Sequence, residues 1–284
     1  WFLLPVYKRL YEYAQPVSLF RGYAWVMSPE TTDADPLNRQ DLTDTVAIVT
    51  GASSGIGEAT AVALAAEGAT VVLAARRAAA LESVADRIDD TAGEALVVPT
   101  DITDETAIDS LVETTIDEYG RIDILVNNAG VMLLEPLERA DRSNLRQMIE
   151  VNLLGLMNLT HAVVPTMQEQ DSGHIVNVSS VAGRQAGADY SGYNASKFGV
   201  NGFTEAIRQE LTTQSIRTTV IEPGAVDTEL STHIPDEQVL EQLADMELPM
   251  LHPDDIAHAV VYATTQPERV DVNELLIRPT GQEL

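Results

Sequence analysis

The sequence has no cysteine, which excludes disulfides, thiolate nucleophiles and metal sites built on cysteine. It has five histidines, and none pairs with a carboxylate at the spacing of a metal site, so we expect no metal. Lysine is almost missing: 15 of the 17 basic residues are arginine, and the two lysines are Lys8 and Lys197. The lack of cysteine fits a reducing compartment, so we expect a cytoplasmic protein.

Positive charge in general is scarce, because 17 basic residues stand against 44 acidic ones and the formal net charge is −27. A surface this acidic repels phosphate backbones and anionic lipid headgroups, which argues against nucleic-acid and membrane partners. Hydrophobic residues make up 45% of the 284 residues, enough for a substantial core. Length and composition therefore predict one large domain.

The excess of acidic residues also predicts adaptation to high salt. Repulsion between like charges destabilises the folded state, and molar salt shortens the screening length to about 3 Å. We expect the melting temperature to rise between low salt and molar KCl, as for a protein of a halophilic cytoplasm. A melting temperature that does not rise would favour the alternative, an acidic protein from a mesophile.

Residues 1–26 differ in composition from the rest of the chain. They carry eight of the 14 aromatic residues and a net charge of +2, whereas the remainder carries −29. Prolines and charges interrupt the apolar residues, so neither a membrane span nor an export signal is predicted. Met27 begins what looks like an ordinary protein start, so we interpret residues 1–26 as a misassigned start and residues 1–44 as a poorly ordered extension. The alternative is an aromatic anchor, and mass spectrometry of the native N-terminus distinguishes the two.

From residue 45 onward, short runs of valine, isoleucine and leucine alternate with amphipathic helical segments. This alternation predicts a parallel sheet covered by helices on both faces. No repeat or linker divides the segment, so residues 45–284 are predicted to form one α/β domain, a doubly wound sheet of about seven strands. The predicted strands are Thr45–Thr50, Thr70–Ala74, Ala95–Val98, Ile124–Val126, His174–Val178, Arg217–Ile221 and Glu274–Ile277.

A glycine-rich turn follows the first predicted strand. It reads Thr50-Gly51-Ala52-Ser53-Ser54-Gly55-Ile56-Gly57 and is followed by a helical segment, 58–66. Glycines at such a turn let backbone N–H groups and the helix N-terminus approach a pyrophosphate, where the helix dipole favours negative charge. The preceding strand and the following helix favour a dinucleotide site over a chance cluster of glycines.

The end of the second predicted strand indicates which nicotinamide cofactor binds. An acidic residue there would accept hydrogen bonds from the ribose hydroxyls and repel a 2′-phosphate. This sequence has Ala75 instead, followed by Arg76 and Arg77, whose guanidinium groups suit a phosphate. We therefore predict NADP(H) over NAD(H), with surface or helix-capping arginines as the alternative. After the third strand, Asp101 and Ile102 are placed to meet the adenine, unless Asp101 caps the next helix.

Tyr193 and Lys197 are the candidate proton-transfer pair. The segment 193–212 is predicted to be helical, so a spacing of four residues places both side chains on one face, one turn apart. A nearby ammonium favours the phenolate, so we expect Lys197 to lower the pKa of Tyr193 toward neutrality. The same spacing is common among surface neighbours, so the pair gains meaning only beside the other motifs.

Further motifs occur in a fixed order around this pair. They are Asn127-Asn128-Ala129-Gly130, Asn152, Ser180 and Pro223-Gly224. Together with the glycine turn and the tyrosine–lysine pair, the set spans residues 45–281 and strongly resembles the short-chain dehydrogenase/reductase family. The resemblance implies a Rossmann-type fold and hydride transfer between NADP(H) and a small carbonyl compound or a primary or secondary alcohol.

The resemblance also implies a role for each matching residue. Tyr193 would be the catalytic acid/base, Lys197 would hold the nicotinamide ribose, and Ser180 would hydrogen-bond the substrate oxygen, whereas Ser179 faces away. Asn152 would anchor a water in a proton relay to Lys197. The remaining matches would surround the cofactor: Gly51, Ser53, Ser54, Gly55, Ile56, Gly57, Arg76, Arg77, Asp101, Ile102, Asn128, Ala129, Gly130, Pro223, Gly224, Val226 and Thr228.

The segment 229–251 lies where the family has a substrate lid. It mixes acidic residues with leucine and methionine, which fits either a lid over a small or medium apolar carbonyl compound or an amphipathic helix that covers the core. Residues 187–190 are expected to line the pocket. The C-terminal part resembles a subgroup of NADP-dependent oxidoreductases that includes serine-oxidising 3-hydroxy acid dehydrogenases. Family members assemble through helices that correspond to 141–168 and 193–212, so we expect a homo-oligomer, a tetramer or a dimer.

Two alternatives belong to other functional classes. A 3-oxoacyl carrier-protein reductase would share the catalytic residues, but it needs a basic surface to dock an acidic carrier, and this sequence has few cations to form one. A protein that binds the dinucleotide only to sense redox state would be expected to lack the tyrosine or the lysine, and both are present. Assays of NADPH and NADH with aldehydes, ketones, 3-hydroxy acids and acetoacetyl thioesters distinguish these functions.

Overall fold

The computed structural model describes residues 39–244 and 249–282, and within them a sheet of seven parallel strands has the order β3-β2-β1-β4-β5-β6-β7. The predicted parallel α/β sheet is confirmed, and the strand ends differ from the predicted ones by at most two residues. The strands are β1 (Val46–Thr50), β2 (Thr70–Ala75), β3 (Glu94–Pro99), β4 (Ile124–Asn127), β5 (Gly173–Val178), β6 (Ile216–Pro223) and β7 (Glu274–Ile277).

Helices connect successive strands and cover the sheet on both faces. In the described residues they are α1 (Gly55–Ala66), α2 (Ala78–Asp89), α3 (Glu105–Tyr119), α4 (Arg142–Ile149), α5 (Leu156–Gln170), α6 (Ser191–Leu211), α7 (Glu237–Ala244) and α8 (Pro253–Thr264). Short 3₁₀ turns lie at Val181–Gly183, Thr212–Gln214 and Glu229–His233.

The side-chain alternation of β1 explains why the sheet is buried on both faces. Val49 packs with Leu64 of α1 in the apolar cluster on one face, and this cluster also includes residues of α2 and α8. Ile48 points the opposite way and packs with Leu159 of α5 in the cluster on the other face, beside α3 and α6. All four side chains are fully buried, so the strand reads as a continuous apolar run.

The domain begins before the first strand. Leu42 is buried in the core, and the Gln40 N–H donates to the Thr265 carbonyl oxygen over 2.7 Å. Residues 39–44, which we assigned to the extension, therefore pack on the domain. The predictions for residues 1–38 fall outside the described residues.

The carboxyl ends of β1 and β4 form the place where a ligand is expected to bind. The chain proceeds from β1 through β2 to β3 on one side and then returns to β4 on the other side, which opens a crevice between the two directions. The glycine turn follows β1 and the turn at 127–130 follows β4, so both motifs lie at this crevice. None of the helices within 39–244 and 249–282 combines the length and apolar character that a bilayer crossing requires.

The helix that follows this crevice contains one wide turn. A π-helical segment, Glu150–Gly155, joins α4 to α5 without a break, and the side chain of Asp141 caps the start of α4 by accepting from the Ser143 N–H over 2.8 Å. The π segment places Asn152 in the interior, where it is 1% exposed. π turns are rare and occur often at functional sites, so we expect this segment to lie near the functional site.

Candidate active site

The glycine turn after β1 has the conformation that its sequence predicts. Gly51 and Gly55 have positive φ angles of 64° and 58°, which residues with a side chain rarely adopt. A Cβ at Gly57 would lie 2.2 Å from the carbonyl oxygen of Gly51, so α1 can approach the turn only through a glycine. The result is an open backbone surface at the start of α1, which fits a pyrophosphate group.

The turn after β4 holds the glycine turn in place. The Thr50 hydroxyl accepts from the N–H groups of Asn128 and Ala129 over 2.9 and 3.0 Å, and the Asn128 side chain donates to the Thr50 carbonyl oxygen over 3.0 Å. These bonds join the ends of β1 and β4, so the conformation of the dinucleotide crevice depends on them.

The two arginines after β2 have different surroundings. Arg77 donates to the hydroxyls of Ser53 and Ser54 over 3.1 and 2.7 Å, and to the carboxylate of Glu229 over 3.1 Å. Hydrogen bonds from Ser54 and Arg77 lower the pKa of Glu229. Arg76 is exposed and makes no side-chain hydrogen bond or ion pair within the part of the chain that the structure describes. Its guanidinium group is therefore available to a phosphate.

Asp101 lies beside Arg76 at the end of β3. Its carboxylate accepts from the backbone N–H and the hydroxyl of Thr103 over 3.0 and 2.8 Å, and these bonds, with a weaker contribution from Arg76, lower the pKa of Asp101. The cap of α3 is Asp104, which accepts from the Thr106 N–H over 2.9 Å. The alternative interpretation of Asp101 as the helix cap is therefore wrong.

Ser180, Tyr193 and Lys197 meet beside the ends of β5 and β6. Ser180 interacts with the phenol of Tyr193 by a hydrogen bond, and its hydroxyl also accepts from the Ala182 N–H over 3.1 Å. The ammonium nitrogen of Lys197 lies 5.8 Å from the centre of the Tyr193 ring and donates to the Val178 carbonyl oxygen over 2.9 Å. Ser179 turns to the opposite side, where its hydroxyl donates to the Lys197 carbonyl oxygen over 3.3 Å.

The electrostatics of this pair differ from the prediction. Burial raises the pKa of Tyr193 to about 12, and a hydrogen bond with Ser180 opposes the shift. Burial lowers the pKa of Lys197 to about 8. The predicted shift of the phenol toward neutrality is therefore wrong for the protein by itself, because desolvation of both groups outweighs their attraction at this separation.

Asn152 does not line the cavity and instead lies behind Tyr193 and Lys197. Its side-chain oxygen accepts from the Val131 N–H over 2.7 Å, and its nitrogen donates to the Val131 carbonyl oxygen and the Ser196 hydroxyl over 2.9 and 3.0 Å. Both amide hydrogens thus have protein partners. The side chain fixes α6 to the segment after β4, and the water relay through Asn152 stays a prediction.

A buried ion pair near the site was not predicted from the sequence. The carboxylate of Glu222, fully buried at the end of β6, accepts from Arg184 over 2.5 Å and from the Asn201 amide over 2.7 Å. The Asn201 amide also donates to the Gly183 carbonyl oxygen over 3.1 Å, and Arg184 reaches the exposed Glu274 as well. The signal in the sequence was an acidic residue, Glu222, directly after the apolar pair Val220-Ile221 at the end of a predicted strand. The network joins the turn after Ser180, helix α6 and the Pro223-Gly224 turn.

One cavity of about 800 Å³ brings nearly all the predicted site residues together. Gly57 and Asn152 are the exceptions, because they support the wall from behind. Of the residues 187–190, only Tyr190 contributes to the lining. The lining residues predicted from the sequence are Gly51, Ser53, Ser54, Gly55, Ile56, Arg76, Arg77, Asp101, Ile102, Asn128, Ala129, Gly130, Ser180, Tyr193, Lys197, Pro223, Gly224, Val226 and Thr228.

The segment predicted to be a lid borders the same cavity. It comprises the 3₁₀ turn Glu229–His233 and helix α7, and Leu230, Leu240 and Leu243 line the cavity. Two anchors hold it: Arg77 binds Glu229, and Arg139 binds the Asp236 carboxylate with two bonds of 2.7 and 3.1 Å. Residues 245–248 lie outside the description.

The fold and this crevice define a class of protein, and comparison with known sequences identifies it. A family model described as short chain dehydrogenase matches residues 45–239. The chain therefore belongs to the short-chain dehydrogenase family and is an oxidoreductase of the dehydrogenase/reductase type.

Individual relatives are similar over most of the chain. An uncharacterised oxidoreductase of Staphylococcus saprophyticus is 41% identical over 243 residues, which cover 85% of this chain and 98% of the relative. A metagenomic short-chain oxidoreductase, solved in complex with NADP, is 35% identical with a TM-score of 0.73 and covers 86% of this chain and 100% of that one. The closed form of a serine dehydrogenase complexed with NADP⁺ is 33% identical with a TM-score of 0.79. The match covers 84% of this chain and 97% of the serine dehydrogenase.

Proposed function

We propose that the protein transfers a hydride between NADP(H) and a small carbonyl compound or alcohol, with Tyr193 as the acid/base. The observation that carries this proposal is the convergence of Ser180, Tyr193 and Lys197 on the cavity that the glycine turn also borders. The nicotinamide supplies the hydride when the cofactor is bound, so the protein must supply position and a proton. Two relatives solved with NADP or NADP⁺ support the choice of cofactor.

The two hydroxyl groups are suited to carbonyl reduction. A phenol with a pKa of about 12 is protonated at neutral pH, so Tyr193 holds a proton ready for the carbonyl oxygen. Ser180 hydrogen-bonds the phenol and can hold the same oxygen. We assign Lys197 to the nicotinamide ribose and to lowering the phenol pKa once substrate and cofactor are in place. Asn152 positions α6 through Val131 and Ser196.

The remaining predicted residues are assigned to the cofactor. The glycine turn binds the pyrophosphate, Asp101 and Ile102 lie near the adenine, and the residues 223–228 shape the nicotinamide side. We also propose a salt-adapted cytoplasmic protein that forms homo-oligomers. Three exposed apolar side chains on α4, the π segment and α6, Ile149, Leu154 and Phe198, support the oligomer, because solvent-facing apolar residues of this size favour burial in an interface.

Replacing Arg76 with aspartate should reverse the cofactor preference. The variant loses a guanidinium group that makes no hydrogen bond or ion pair to a described side chain, and the new carboxylate repels a 2′-phosphate while accepting hydrogen bonds from ribose hydroxyls. We expect kcat/KM for NADPH to fall by about 100-fold, which corresponds to about 2.7 kcal/mol, and that for NADH to be kept or to rise. Steady-state kinetics with both cofactors measure the ratio.

The matched control is Arg269→Asp, which makes the same charge change at an exposed position outside the cavity. The ratio of kcat/KM for NADPH to that for NADH should stay within about twofold of wild type, because salt screens an exposed charge outside the cavity. If the Arg76→Asp enzyme keeps its preference for NADPH, the assignment of NADP(H) specificity to Arg76 fails.

Replacing Glu222 with glutamine should lower turnover more than cofactor affinity. Arg184 and Asn201 donate to different oxygens of the Glu222 carboxylate, and glutamine keeps only one of these oxygens. The turn after Ser180 therefore loses part of its connection to β6 and α6. We expect kcat to fall by about 10- to 100-fold, since misplacement of a catalytic group by even 1 Å has effects of this size. The Kd for NADP⁺, measured by titration calorimetry, should change by about threefold or less.

Glu274→Gln is the control for this prediction, because Glu274 also contacts Arg184 but is exposed. Its kcat should stay within about twofold of wild type, as expected for a surface pair. Equal losses of kcat in the two variants, or a loss in Glu222→Gln that disappears once its fraction of folded protein is taken into account, would contradict the positioning role.

A further inference from the structure

Two of the three basic side chains of the cavity lie away from the reacting end. Among the described lining residues the lysine and arginine side chains are Arg76, Arg77 and Lys197, and only Lys197 lies near Tyr193. Arg76 and Arg77 follow β2, which is separated from β5 by β1 and β4, so three strand spacings of about 4.8 Å, or roughly 14 Å, lie between them and the Ser180 end. Arg77 already donates to Ser53, Ser54 and Glu229. Lys197, next to Tyr193, already donates to the Val178 carbonyl oxygen.

The reacting end is instead walled by apolar side chains. A third apolar cluster, separate from the two that cover the sheet, contains Tyr193 itself. Around the phenol it gathers residues from the segment after β4, from α4 and from the lid, and Tyr190 packs edge-on against Tyr193 with ring centres 6.5 Å apart. The cluster members that also line the cavity, besides Tyr193, are Val131, Met132, Ala182, Tyr190, Leu240 and Leu243.

The described part of the segment that covers this end adds no lysine or arginine. Residues 229–244 and 249–251 contain four carboxylates, and their one histidine is His233. Arg139, which binds the lid from outside, is already engaged by Asp236 and Gln238. A carboxylate on a substrate would therefore lose its hydration without gaining a cation other than Lys197, which already donates to Val178, against a protein of net charge −27.

We infer that the substrate is an uncharged carbonyl compound with apolar substituents, and that substrates bearing a carboxylate are rejected. The inference rests on the proposed function and narrows its substrate class. In the reduction, the carbonyl carbon accepts the hydride of NADPH and the carbonyl oxygen accepts the proton of Tyr193, giving the alcohol and NADP⁺. No step requires a charged group on the substrate. Hydroxy acids, as a class, are thus excluded as preferred substrates of the reverse reaction.

Pairs of an uncharged ester and its parent carboxylic acid test the inference. Ethyl acetoacetate is compared with acetoacetate, and methyl 4-formylbenzoate with 4-formylbenzoate, at pH 7.5 with NADPH and with NADH. We expect kcat/KM for the ester to exceed that for the acid by at least about 100-fold in each pair. The preference should persist in molar KCl, which screens the surface charge but does not restore the hydration of a buried carboxylate.

A lid variant tests where the preference arises. Leu240→Arg places a guanidinium group on the lining of the reacting end and should raise kcat/KM for the acids by at least about tenfold, whereas Leu240→Gln, the polar but uncharged control, should not. His233→Gln should leave the acids as poor substrates, and a further loss of their activity would mean that His233 binds carboxylates.

The outcomes separate this inference from the proposed function. Acids reduced as fast as the esters, or faster, overturn the inference and leave the oxidoreductase proposal intact. Failure of all four compounds with both cofactors overturns both, and a melting-temperature shift with NADP⁺ then shows whether the cofactor site itself was assigned correctly.

Discussion

Replacing Tyr193 with phenylalanine should lower kcat by about a thousandfold or more while leaving the affinity for NADP(H) within about twofold of wild type. The substitution removes only the phenol oxygen, and the ring stays in its apolar cluster beside Tyr190. General acid catalysis contributes about 10²- to 10⁴-fold, and phenylalanine has no proton to donate to the carbonyl oxygen. Because the interaction is made mainly in the transition state, kcat and kcat/KM should fall together. Single-turnover reduction of ethyl acetoacetate, with NADP⁺ binding measured separately, checks both parts.

Tyr190→Phe is the matched control for this variant. Tyr190 lines the same cavity, and burial raises the pKa of its phenol as well, yet it lies at the start of α6, three residues before Tyr193. Its loss should change kcat by less than about tenfold. Turnover of the Tyr193→Phe enzyme close to that of wild type, or an equal effect of the two substitutions, would show that Tyr193 is not the proton donor.

Replacing Lys197 with methionine should inactivate the enzyme and at the same time stabilise the cofactor-free protein. Burial lowers the pKa of Lys197 from 10.5 to about 8, so below pH 8 the fold carries a buried ammonium whose cost, from a shift of this size, is about 3 kcal/mol. Methionine removes that cost but leaves the Val178 carbonyl oxygen without its donor, which costs about 1 kcal/mol. The net gain of about 2 kcal/mol corresponds to a rise in Tm of about 4 to 8 °C at pH 7.

The pH dependence gives the same experiment a second readout. Between pH 8 and 10.5 the folded wild type has released the Lys197 proton while the unfolded chain still binds it, so the free energy of unfolding rises with pH across this window. The Lys197→Met protein should lack this contribution, whereas Tyr193→Phe, which keeps the lysine, should retain it. A Lys197→Met protein that is less stable than wild type at pH 7 would contradict the cost assigned to the buried ammonium. Activity that survives the substitution would remove Lys197 from the mechanism.

The fold could be predicted from the sequence because its signals are local. Most of the strands are short, largely apolar runs between helical segments. Two positions of the turn after β1 need positive φ angles, and the sequence has a glycine at each of them, Gly51 and Gly55. The order of the motifs was enough to indicate the family, to which the chain belongs. It also placed nearly all the predicted site residues on one cavity, because the carboxyl ends of parallel strands meet at one edge of the sheet.

The properties that could not be predicted depend on distance and burial between distant parts of the chain. Tyr193 and Lys197 are neighbours on α6, but the sign of the tyrosine's pKa shift follows from how deeply both are buried, which their spacing does not specify. The contact between Arg184 and Glu222 joins positions 38 residues apart. Asp101 and Asp104 both precede α3, and only the backbone conformation shows that the second one caps it.

The π turn between α4 and α5 sets the position of Asn152. Successive residues of an α-helix are rotated by about 100°, and a π turn accommodates one residue more than a regular turn does. Deleting one residue from Glu150–Gly155 would restore a regular turn, so α4, with its buried Met148, and α5, with its buried Leu159, would keep their relative phase. The residues of the segment itself would shift, and Asn152 would leave the position from which it bonds Val131 and Ser196. The extra residue thus serves the interior position of Asn152 rather than the packing of the two helices.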